Sequence, residues 1–372
     1  MEALLNNVPT THTAFAIADV SSVAFARRGA VDAARRVGLD ETHAGRVALI
    51  VTEAATNILK HARHGEILVR EVCEVPAEIH GHAQAAAAAA AARRCGVELI
   101  ALDNGPGITD LSAAFTDGTS SAGTPGTGLG AMRRLSDDFA IYSQPGAGTT
   151  VRMFVHNDTP PGPSTDGPGA IDSSGIGVPY PGEEVCGDGW TVLADERGLT
   201  ICVVDGLGHG PDAHHAARVG IDVIHLHSGR APTDLLERMH AAMRPTRGAA
   251  VAVARIDLAS ARVTFTGIGN ISASVTAADE RDGIGGAPRS RQLVSHNGIV
   301  GHNVRKIQEF ETPWSRDAML VMHSDGVATR WQLERYPGLA NQRASLIAST
   351  LYRDFSRRHD DATVVVVKAA HL

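Results

Sequence analysis

The stretch at residues 156–174 constrains the fold most, because it separates two segments that each have the apolar patterning of a folded domain. It reads HNDTPPGPSTDGPGAIDSS and is dominated by proline, glycine, serine, threonine and aspartate. Such a composition buries too little apolar surface to offset the entropy lost on ordering the chain. At about 150 residues per domain, the 372 residues suffice for two domains. The sequence predicts domains at 1–155 and 175–372, joined by a linker at 156–174.

Composition and missing motifs exclude several classes of protein. A hydrophobic content of 43% is too high for a disordered chain. The balance of 34 Lys and Arg against 41 Asp and Glu gives a net charge of −7, which excludes a bulk basic surface for nucleic acid or for an anionic membrane. No Gly-Lys-Ser/Thr, His-Arg-Asp or Asp-Phe-Gly occurs. The chain therefore has neither a P-loop nor the motifs of an ordinary protein kinase.

The cysteines and the apolar runs indicate a cytoplasmic protein. Four cysteines without a Cys-x-x-Cys pair predict free thiols in a reducing compartment. The first ten residues lack the basic and apolar regions of a signal peptide. The alanine run at 85–92 is far shorter than the roughly 20 residues of a membrane span. The surrounding segment, 80–94, is either a partner-binding helix or an insertion between two strands, and the insertion is favoured.

The first domain has a mixed helical and strand pattern. Ser21 or Ser22 is predicted to cap a helix that ends at Gly38, and Asp40 to cap a second helix that Gly65 closes. Apolar residues three and four apart mark the buried face of the second helix. Strand-like runs lie at 66–72, 97–102, 139–142 and 149–155, with a further helix at 131–135. This order predicts an α/β sandwich.

The second domain is richer in sheet. One helix is predicted over 211–227. The apolar strands are predicted at 200–204, 250–256, 262–266, 319–322 and 363–367. The pattern is that of an α+β domain, so the chain as a whole is a two-domain α/β protein.

Two polar residues of the second helix and two glycine-rich loops form the first candidate site. Glu53 and Asn57 are four residues apart and share one face of the helix, which Lys60 continues. The loop DNGPG at 103–107 follows a strand, and GTPGTGLG at 123–130 precedes a helix. Glycines permit close backbone approach, and a helix start presents N–H groups to a phosphate. The three elements in this order favour a nucleotide site.

These motifs resemble the N, G1 and G2 boxes of the ATP-binding fold shared by gyrase, Hsp90, histidine kinases and MutL. Over about residues 10–155, DNGPGI, GTGLGAMRRL and FAIYSQPGAGTTV look like the RsbT-type switch kinases and anti-sigma-factor kinases of bacterial partner switching. The resemblance implies that Glu53 is the general base for a substrate hydroxyl and that Asn57 binds the Mg²⁺ bridging the ATP phosphates. Asp103 would accept from the adenine amino group, with Thr149 nearby. The other predicted ATP-binding residues are Lys60, Gly105, Gly107, Gly126, Gly128, Leu129 and Gly130.

Aspartates at strand ends form the second candidate site. Asp205 and Asp325 each follow an apolar strand and precede a glycine, Asp360 and Asp361 precede another strand, and Asp188 lies in CGDGW. A single Asp-Gly after a strand is typical of a turn. Four acidic strand ends in one domain are more than turns require. Carboxylates that converge repel one another unless cations neutralise them, so the set indicates hard divalent metals on oxygen ligands.

This set resembles the metal-dependent phosphatases of the type-2C superfamily, in the SpoIIE/RsbX branch. The matching strings are PGEEVCGDGW, VVDGLGHG, GIGNISA, GIVG, HSDGVA and DDATVVVV, over about residues 175–372. The resemblance implies a β-sandwich flanked by helices, with two Mn²⁺ or Mg²⁺ ions whose bridging water attacks a phosphoserine or phosphothreonine. Asp205 and the Gly206 carbonyl would bridge both metals. Asp188 would hold one ion, and Asp325 and Asp360 the other, with Asp361 outside the ligand set.

The general acid of this phosphatase is left open. Larger relatives carry a histidine two residues after the Asp-Gly aspartate, where this chain has Leu207, and a phosphate-binding arginine that is absent from 175–194. His209 is an alternative proton donor, but a loop histidine beside glycines is more often only exposed.

The resemblances together imply a cytoplasmic partner-switching regulator of a stress response. Its kinase domain would phosphorylate a STAS-domain antagonist protein on serine or threonine, and its phosphatase domain would act on the phosphorylated form. A sigma factor or another downstream regulator is a further partner of such systems, and homodimers occur among the small kinases. No nucleic-acid or membrane partner is expected. The alternative is an ATP-gated module that binds an anti-sigma or antagonist partner without kinase turnover, fused to an active phosphatase.

Overall fold

The computed structural model describes residues 11–62, 64–74, 94–115, 128–157, 171–278, 288–315 and 317–369. The chain divides into two compact units. The first comprises Met1–Thr165 with Leu333–Gln342, and the second Asp166–Gln332 with Arg343–Leu372. The predicted insertion at 80–94 lies outside the described residues except for its last residue. None of the helices in the described ranges combines the length and the apolar character that crossing a bilayer requires.

The first unit packs helices against one sheet. Its helices are α1 (Val20–Arg36), α2 (Glu41–His61), α3 (Leu111–Ala114) and α4 (Gly128–Leu135), with two 3-10 turns at Leu333–Arg335 and Leu339–Asn341. Its strands are β1 (Thr13–Ala16), β2 (Gly65–Glu74), β3 (Arg94–Asp103), β4 (Asp138–Gln144) and β5 (Gly148–His156).

The sheet of the first unit has the antiparallel order β1-β2-β3-β5-β4. The core lies between one face of this sheet and helices α1 and α2. Buried residues of α2 recur every three or four positions, as an amphipathic helix requires, and they include Val47, Ile50, Val51, Ala54 and Ile58. The predicted α/β sandwich is confirmed.

Two predicted helix ends differ from the structure. Helix α1 is capped by Asp19, whose side chain accepts from the Ser22 backbone N–H, while Ser22 returns a bond to the Asp19 backbone. The cap is therefore the aspartate two or three residues before the predicted serines. Asp40 caps α2 as predicted, but α2 ends at His61, and Gly65 begins β2. A Cβ on Gly65 would lie 2.6 Å from the Ile58 side chain, so the glycine permits close packing of strand on helix.

The expectation that all four cysteines are free is wrong. Cys73 and Cys95 form a disulfide, while Cys186 and Cys202 are free and buried. The two paired cysteines stand directly opposite each other on β2 and β3, with their Cα atoms 4.0 Å apart. Twenty-two positions separate them in the sequence, so only the strand register brings them together.

Among its described residues, the second unit is built from two five-stranded sheets, a two-stranded sheet of Gly298–Ile299 with Asn303–Val304, and three helices. The helices are α5 (Pro211–His227), α6 (Pro232–Ala242) and α7 (Ala344–Phe355). The strands are β6 (Ile171–Val178), β7 (Asp188–Asp195), β8 (Gly198–Gly206), β9 (Ala249–Asp257), β10 (Arg262–Ile268), β11 (Ser272–Ala278), β12 (Pro288–Leu293), β13 (Gly298–Ile299), β14 (Asn303–Val304), β15 (Phe310–Pro313), β16 (Met319–His323) and β17 (Ala362–Ala369).

The two large sheets have the orders β15-β10-β9-β8-β7 and β12-β11-β16-β17-β6. One core lies between the sheets, and a second lies between the first sheet and helices α5 and α6. Strand β8 serves both cores: Ile201 and Val203 face the sandwich, and Cys202 and Val204 face the helices. Burial on both faces explains why this strand is a continuous apolar run. The predicted β-sandwich flanked by helices is confirmed.

Strand β6 begins inside the predicted linker. Ile171 pairs with Ala369, and the antiparallel register continues to Val178 opposite Ala362. Residues 171–174 therefore belong to the second unit, although their sequence, IDSS, has the composition of a turn. Pairing with the apolar strand β17 overrides the weak strand propensity of these residues.

Candidate functional site

The first site is built on one face of α2. Glu53 and Asn57 are both partly buried there. Gly128, the first residue of α4, lies against them: a Cβ at this position would be 3.0 Å from Glu53 Oε2 and 3.4 Å from Asn57 Nδ2. Only a residue without a side chain leaves this space open beside the carboxylate and the amide. The start of α4 thus faces both predicted functional residues, as a phosphate site at a helix N-terminus requires.

The DNGPG loop folds back on the end of β3. Asp103 Oδ1 accepts a hydrogen bond of 2.7 Å from the backbone N–H of Gly105. Gly107 has φ +68, and a Cβ there would lie 2.1 Å from the Gln144 carbonyl oxygen, so glycine is required on both grounds. Thr149 stands opposite Asp103 in the β3–β5 register. The loop and the strand end therefore hold Asp103 and Thr149 side by side, as predicted for an adenine pocket.

Hydrogen bonds connect this pocket to β4. Thr149 Oγ1 lies 2.9 Å from Ser143 Oγ, and Ser143 Oγ also accepts from the backbone N–H of Ile108 in the loop. Ser143 is not among the predicted site residues: the strand predicted at 139–142 ends one residue before it, and its place in the string FAIYSQPGAGTTV was the available signal.

The remaining predicted ATP-binding residues differ in position. Leu129 packs against the core, and Gly130 is buried in α4. Lys60 is exposed in the last turn of α2. Gly126 lies outside the described residues. The space that Gly128 leaves beside Glu53 and Asn57 is the observation by which this site fits a nucleotide phosphate.

The second site lies where β8 and β16 end and where β7 and β17 begin. Asp188 and Asp205 are directly opposite in the β7–β8 register. Asp325 follows β16, Asp360 precedes β17, and these two strands are neighbours in the other sheet. Asp188 is 2% exposed. The fold therefore directs acidic residues that are far apart in the sequence toward one end of the sandwich.

The carboxylates of this site act on one another. Burial raises the pKa of Asp205 to about 9, and repulsion by Asp188, Asp325, Asp360 and Asp361 adds to the rise. Burial likewise raises the pKa of Asp188 to about 7, against a hydrogen bond from Ser324. The pKa of Asp360 is raised by burial and by Asp325. A set of carboxylates that resists ionisation in this way is stabilised by a cation.

Two buried carboxylate oxygens support a cation at this place. Within the described ranges, Asp188 Oδ1 and Asp361 Oδ2 are buried and have no hydrogen-bond partner. Such oxygens are costly unless a donor or a metal ion satisfies them. The same ranges contain no three His, Cys, Asp or Glu side chains already arranged around a single point.

Asp361, predicted to lie outside the ligand set, is a buried member of this group of aspartates. It is 3% exposed, and its Oδ1 accepts from the backbone N–H of Tyr180. Asp360 is the less buried of the pair, and its Oδ1 accepts from the Asp361 backbone N–H. Asp361 thus has the unsatisfied oxygen that a ligand would offer.

Two polar residues that hold the aspartates were missed from the sequence. Ser324 is fully buried; its Oγ donates to Asp188 Oδ2 at 2.6 Å and accepts from the backbone N–H of Thr363. Asn270 Nδ2 donates to Asp325 Oδ2 at 2.7 Å. Their positions inside the strings HSDG and GIGN were the available signal.

The two units define a protein that joins an ATPase-type α/β domain to a phosphatase-type β-sandwich. Residues 16–155 match the family model of the histidine kinase-like ATPase domain, and residues 195–370 match that of stage II sporulation protein E, SpoIIE. The chain is a fusion of these two domain types.

Two curated proteins of Bacillus subtilis (strain 168) resemble the two halves. The serine/threonine-protein kinase RsbT is 29% identical over 129 residues, which cover 35% of this chain and 84% of RsbT. The phosphoserine phosphatase RsbX is 22% identical over 188 residues, which cover 50% of this chain and 88% of RsbX. A crystal structure of RsbX in complex with magnesium is also similar, at 21% identity and a TM-score of 0.46. The match covers 53% of this chain and 94% of the RsbX chain. The first half of the chain is therefore similar to a serine/threonine-protein kinase and the second half to a phosphoserine phosphatase.

Proposed function

We propose that this chain is a bifunctional regulator that both adds and removes phosphate in one partner-switching pathway. The first domain transfers phosphate from ATP to a serine or threonine of a STAS-domain antagonist protein. The second hydrolyses phosphoserine or phosphothreonine on a protein of the same pathway. The observation that carries the proposal is the presence on one chain of two separate sites, a carboxylate and amide facing a helix start, and a buried aspartate cluster.

In the first domain the residues of the pocket divide the task. Asp103 and Thr149 hold the adenine, and Gly128 at the start of α4 leaves room for the phosphates. Asn57 holds the Mg²⁺, which, when bound, neutralises charge on the transferred phosphoryl group. Glu53 accepts the proton of the incoming hydroxyl, a role that requires only hydrogen-bond reach and the ionised form.

Glu53 favours a kinase over a module that only binds its partner. Nucleotide binding needs the loops and Asn57, but it does not need a carboxylate beside the place of the terminal phosphate. A carboxylate there repels the phosphates and so weakens nucleotide binding. A module that only binds would gain nothing from it, whereas a kinase uses it as the proton acceptor. Its position against Gly128 therefore supports the kinase.

In the second domain the aspartates hold the metals. Asp188, Asp205, the Gly206 carbonyl, Asp325 and Asp360 are the groups that would hold them. When bound, Mn²⁺ or Mg²⁺ supplies an activated water and neutralises the phosphate. Ser324 and Asn270 orient Asp188 and Asp325 through the hydrogen bonds described above.

The test follows phosphate in both directions. Purified full-length protein is incubated with Mg²⁺, γ-labelled ATP and STAS-domain proteins encoded near its gene, and label on protein and free phosphate are measured. We expect labelling of one of them on serine or threonine, and metal-dependent release of phosphate from a phosphorylated protein. Failure to label any candidate would contradict the kinase, and hydrolysis that resists a chelator would contradict the metal-dependent phosphatase.

A further inference from the structure

Three side chains beside the aspartate cluster have no part in the function so far. They are Tyr180, Glu183 and His209. His209 Nδ1 lies 2.7 Å from Glu183 Oε1. The rings of Tyr180 and His209 are stacked, with centroids 4.5 Å apart and planes 14° from parallel. An exposed histidine held at once by a carboxylate and an aromatic ring is restricted in both position and tilt.

The group is attached directly to the aspartate site. The backbone N–H of Tyr180 donates to Asp361 Oδ1, and that of Glu183 donates to the Tyr180 carbonyl. His209 lies three residues after Gly206 on the loop that leaves β8.

The loop is shaped to make this contact. Gly208 and Gly210 flank His209 with φ +86 and +76, a conformation that favours glycine. A Cβ on Gly210 would lie 3.1 Å from Glu183 Oε2. The backbone therefore turns back on Glu183, while the His209 side chain stays 51% exposed. It is fixed on one side and open to a substrate on the other.

The hydrogen bond also decides which ring nitrogen is available. A carboxylate accepts and does not donate, so Nδ1 carries the proton shared with Glu183, and Nε2 is left for chemistry. Hydrolysis of a phosphoserine expels an alkoxide, which is too basic to leave readily without a proton.

We propose that His209, as the imidazolium with its Nδ1–H held by Glu183, donates the second ring proton from Nε2 to the serine or threonine oxygen that leaves, with Glu183 and Tyr180 as positioning residues; the proposal rests on the phosphatase function above. As the bond from phosphorus to that oxygen breaks, its electron pair goes to the oxygen, which takes the proton from Nε2. The oxygen of water forms the new bond to phosphorus, and the proton it loses returns to Nε2 through solvent. The products are the free hydroxyl side chain and inorganic phosphate.

The test compares two leaving groups on the full-length protein with saturating Mn²⁺. A phosphoserine peptide needs the proton, whereas p-nitrophenyl phosphate releases a weakly basic phenolate that does not. We expect His209→Gln to lower kcat on the peptide by about 100-fold and to change kcat on p-nitrophenyl phosphate by less than about 3-fold. Glu183→Gln should lower kcat on the peptide by about 10-fold, with the same selectivity. His215→Gln, at an exposed histidine of α5, is the matched control and should change neither rate.

A second measurement does not depend on turnover. In chelator, at a pH at which the ring is neutral, ¹⁵N NMR of histidine-labelled protein should show His209 as the Nδ1–H tautomer, the form that gains its second proton on Nε2. The His209 signal is identified by its loss in His209→Gln, and it should be altered in Glu183→Gln. Equal loss of kcat on both substrates, unchanged rates, or an Nε2–H tautomer would each overturn the proposal. Wild-type protein inactive on both substrates would instead overturn the phosphatase function itself, so the two failures are distinguishable.

Discussion

Glu53 is the residue on which the kinase depends. Its carboxylate and the Asn57 amide lie next to Gly128 at the start of α4. Replacing Glu53 with alanine removes the proton acceptor but leaves the loops and Asn57 in place. We expect phosphotransfer to the partner to fall by about 100-fold or more, while the Kd for ATP changes by less than about 3-fold. Label transfer and nucleotide titration measure the two quantities separately.

The matched control for this prediction is Glu41→Gln, at the first residue of the same helix. Glu41 is an exposed carboxylate that pairs only weakly with Arg35, at 3.3 Å, and surface pairs of this kind contribute little. The control should transfer phosphate at the wild-type rate. Transfer at an unchanged rate by Glu53→Ala would exclude Glu53 as the base.

Asp205 links the stability of the metal-free protein to pH. The folded pKa of about 9 lies above the ordinary value of 3.8, so the folded state retains a proton that the unfolded chain loses. The stabilisation from Asp205 is therefore complete below about pH 4 and is lost as pH rises through about 9. Asp188, with a pKa of about 7, acts in the same direction.

Asp205→Asn removes this repulsion. In chelator at pH 8 we expect its Tm to exceed that of the wild type by about 5 °C, with no difference near pH 4, while phosphatase turnover is lost. Thermal melts across this pH range measure the effect. Asp212→Asn, which removes an exposed carboxylate, is the control and should leave the pH dependence unchanged. A lower Tm for Asp205→Asn at pH 8 would show that the carboxylate stabilises the metal-free site.

The disulfide between β2 and β3 is expected to stabilise the first unit. Closing a loop of 22 positions contributes about 3 kcal/mol in the chain-entropy description. We expect Cys73→Ser with Cys95→Ser to lower the free energy of unfolding of the first unit by about this amount. Denaturant titration with and without dithiothreitol measures it, and the reductant should destabilise the wild type but not the variant. Four titratable thiols in the unreduced, denatured wild type would show that the bond does not form.

Elements with a regular apolar period were predictable, and those that depend on pairing were not. Helix α5 has the predicted bounds, Pro211–His227, because its apolar spacing and N-terminal proline are local signals. The first four residues of β6, 171–174, lie in the predicted linker, because their strand character comes from pairing with β17. The disulfide was missed for the same reason, since the β2–β3 register is a long-range property.

At the scale of the whole molecule, the sequence indicated which acidic residues converge but not how they are held. Apolar strands ending in aspartates were visible, so the set of Asp188, Asp205, Asp325 and Asp360 could be proposed. The support from Ser324 and the stacking of Tyr180 on His209 could not, because each joins residues from different strands and loops. The aspartates at the strand ends are therefore visible in the sequence, whereas the hydrogen bonds that support them are not.

The separate cores of the two units predict separate responses to their ligands. All three tryptophans, Trp190, Trp314 and Trp331, belong to the second unit, so tryptophan fluorescence reports its unfolding alone, whereas calorimetry reports both units. A ligand at 100 times its Kd raises the free energy of unfolding of the unit that binds it by about 2.7 kcal/mol. This corresponds to a rise in Tm of about 5–10 °C for units of this size. With Mg²⁺ present throughout, we expect a non-hydrolysable ATP analogue to raise the Tm of the first unit, which calorimetry detects. The Tm measured by tryptophan fluorescence should not change. Mn²⁺ without nucleotide should shift the fluorescence melt.

Site variants assign each shift to its own unit. Asn57→Ala should abolish the response to the ATP analogue and keep the response to Mn²⁺. Asp205→Asn should do the reverse, because each substitution removes a ligand-holding group from one unit only. A fluorescence melt that shifts equally with both ligands would mean that the units unfold as one. Nucleotide binding would then stabilise the phosphatase site as well, and the two activities would be thermodynamically coupled rather than merely present on the same chain.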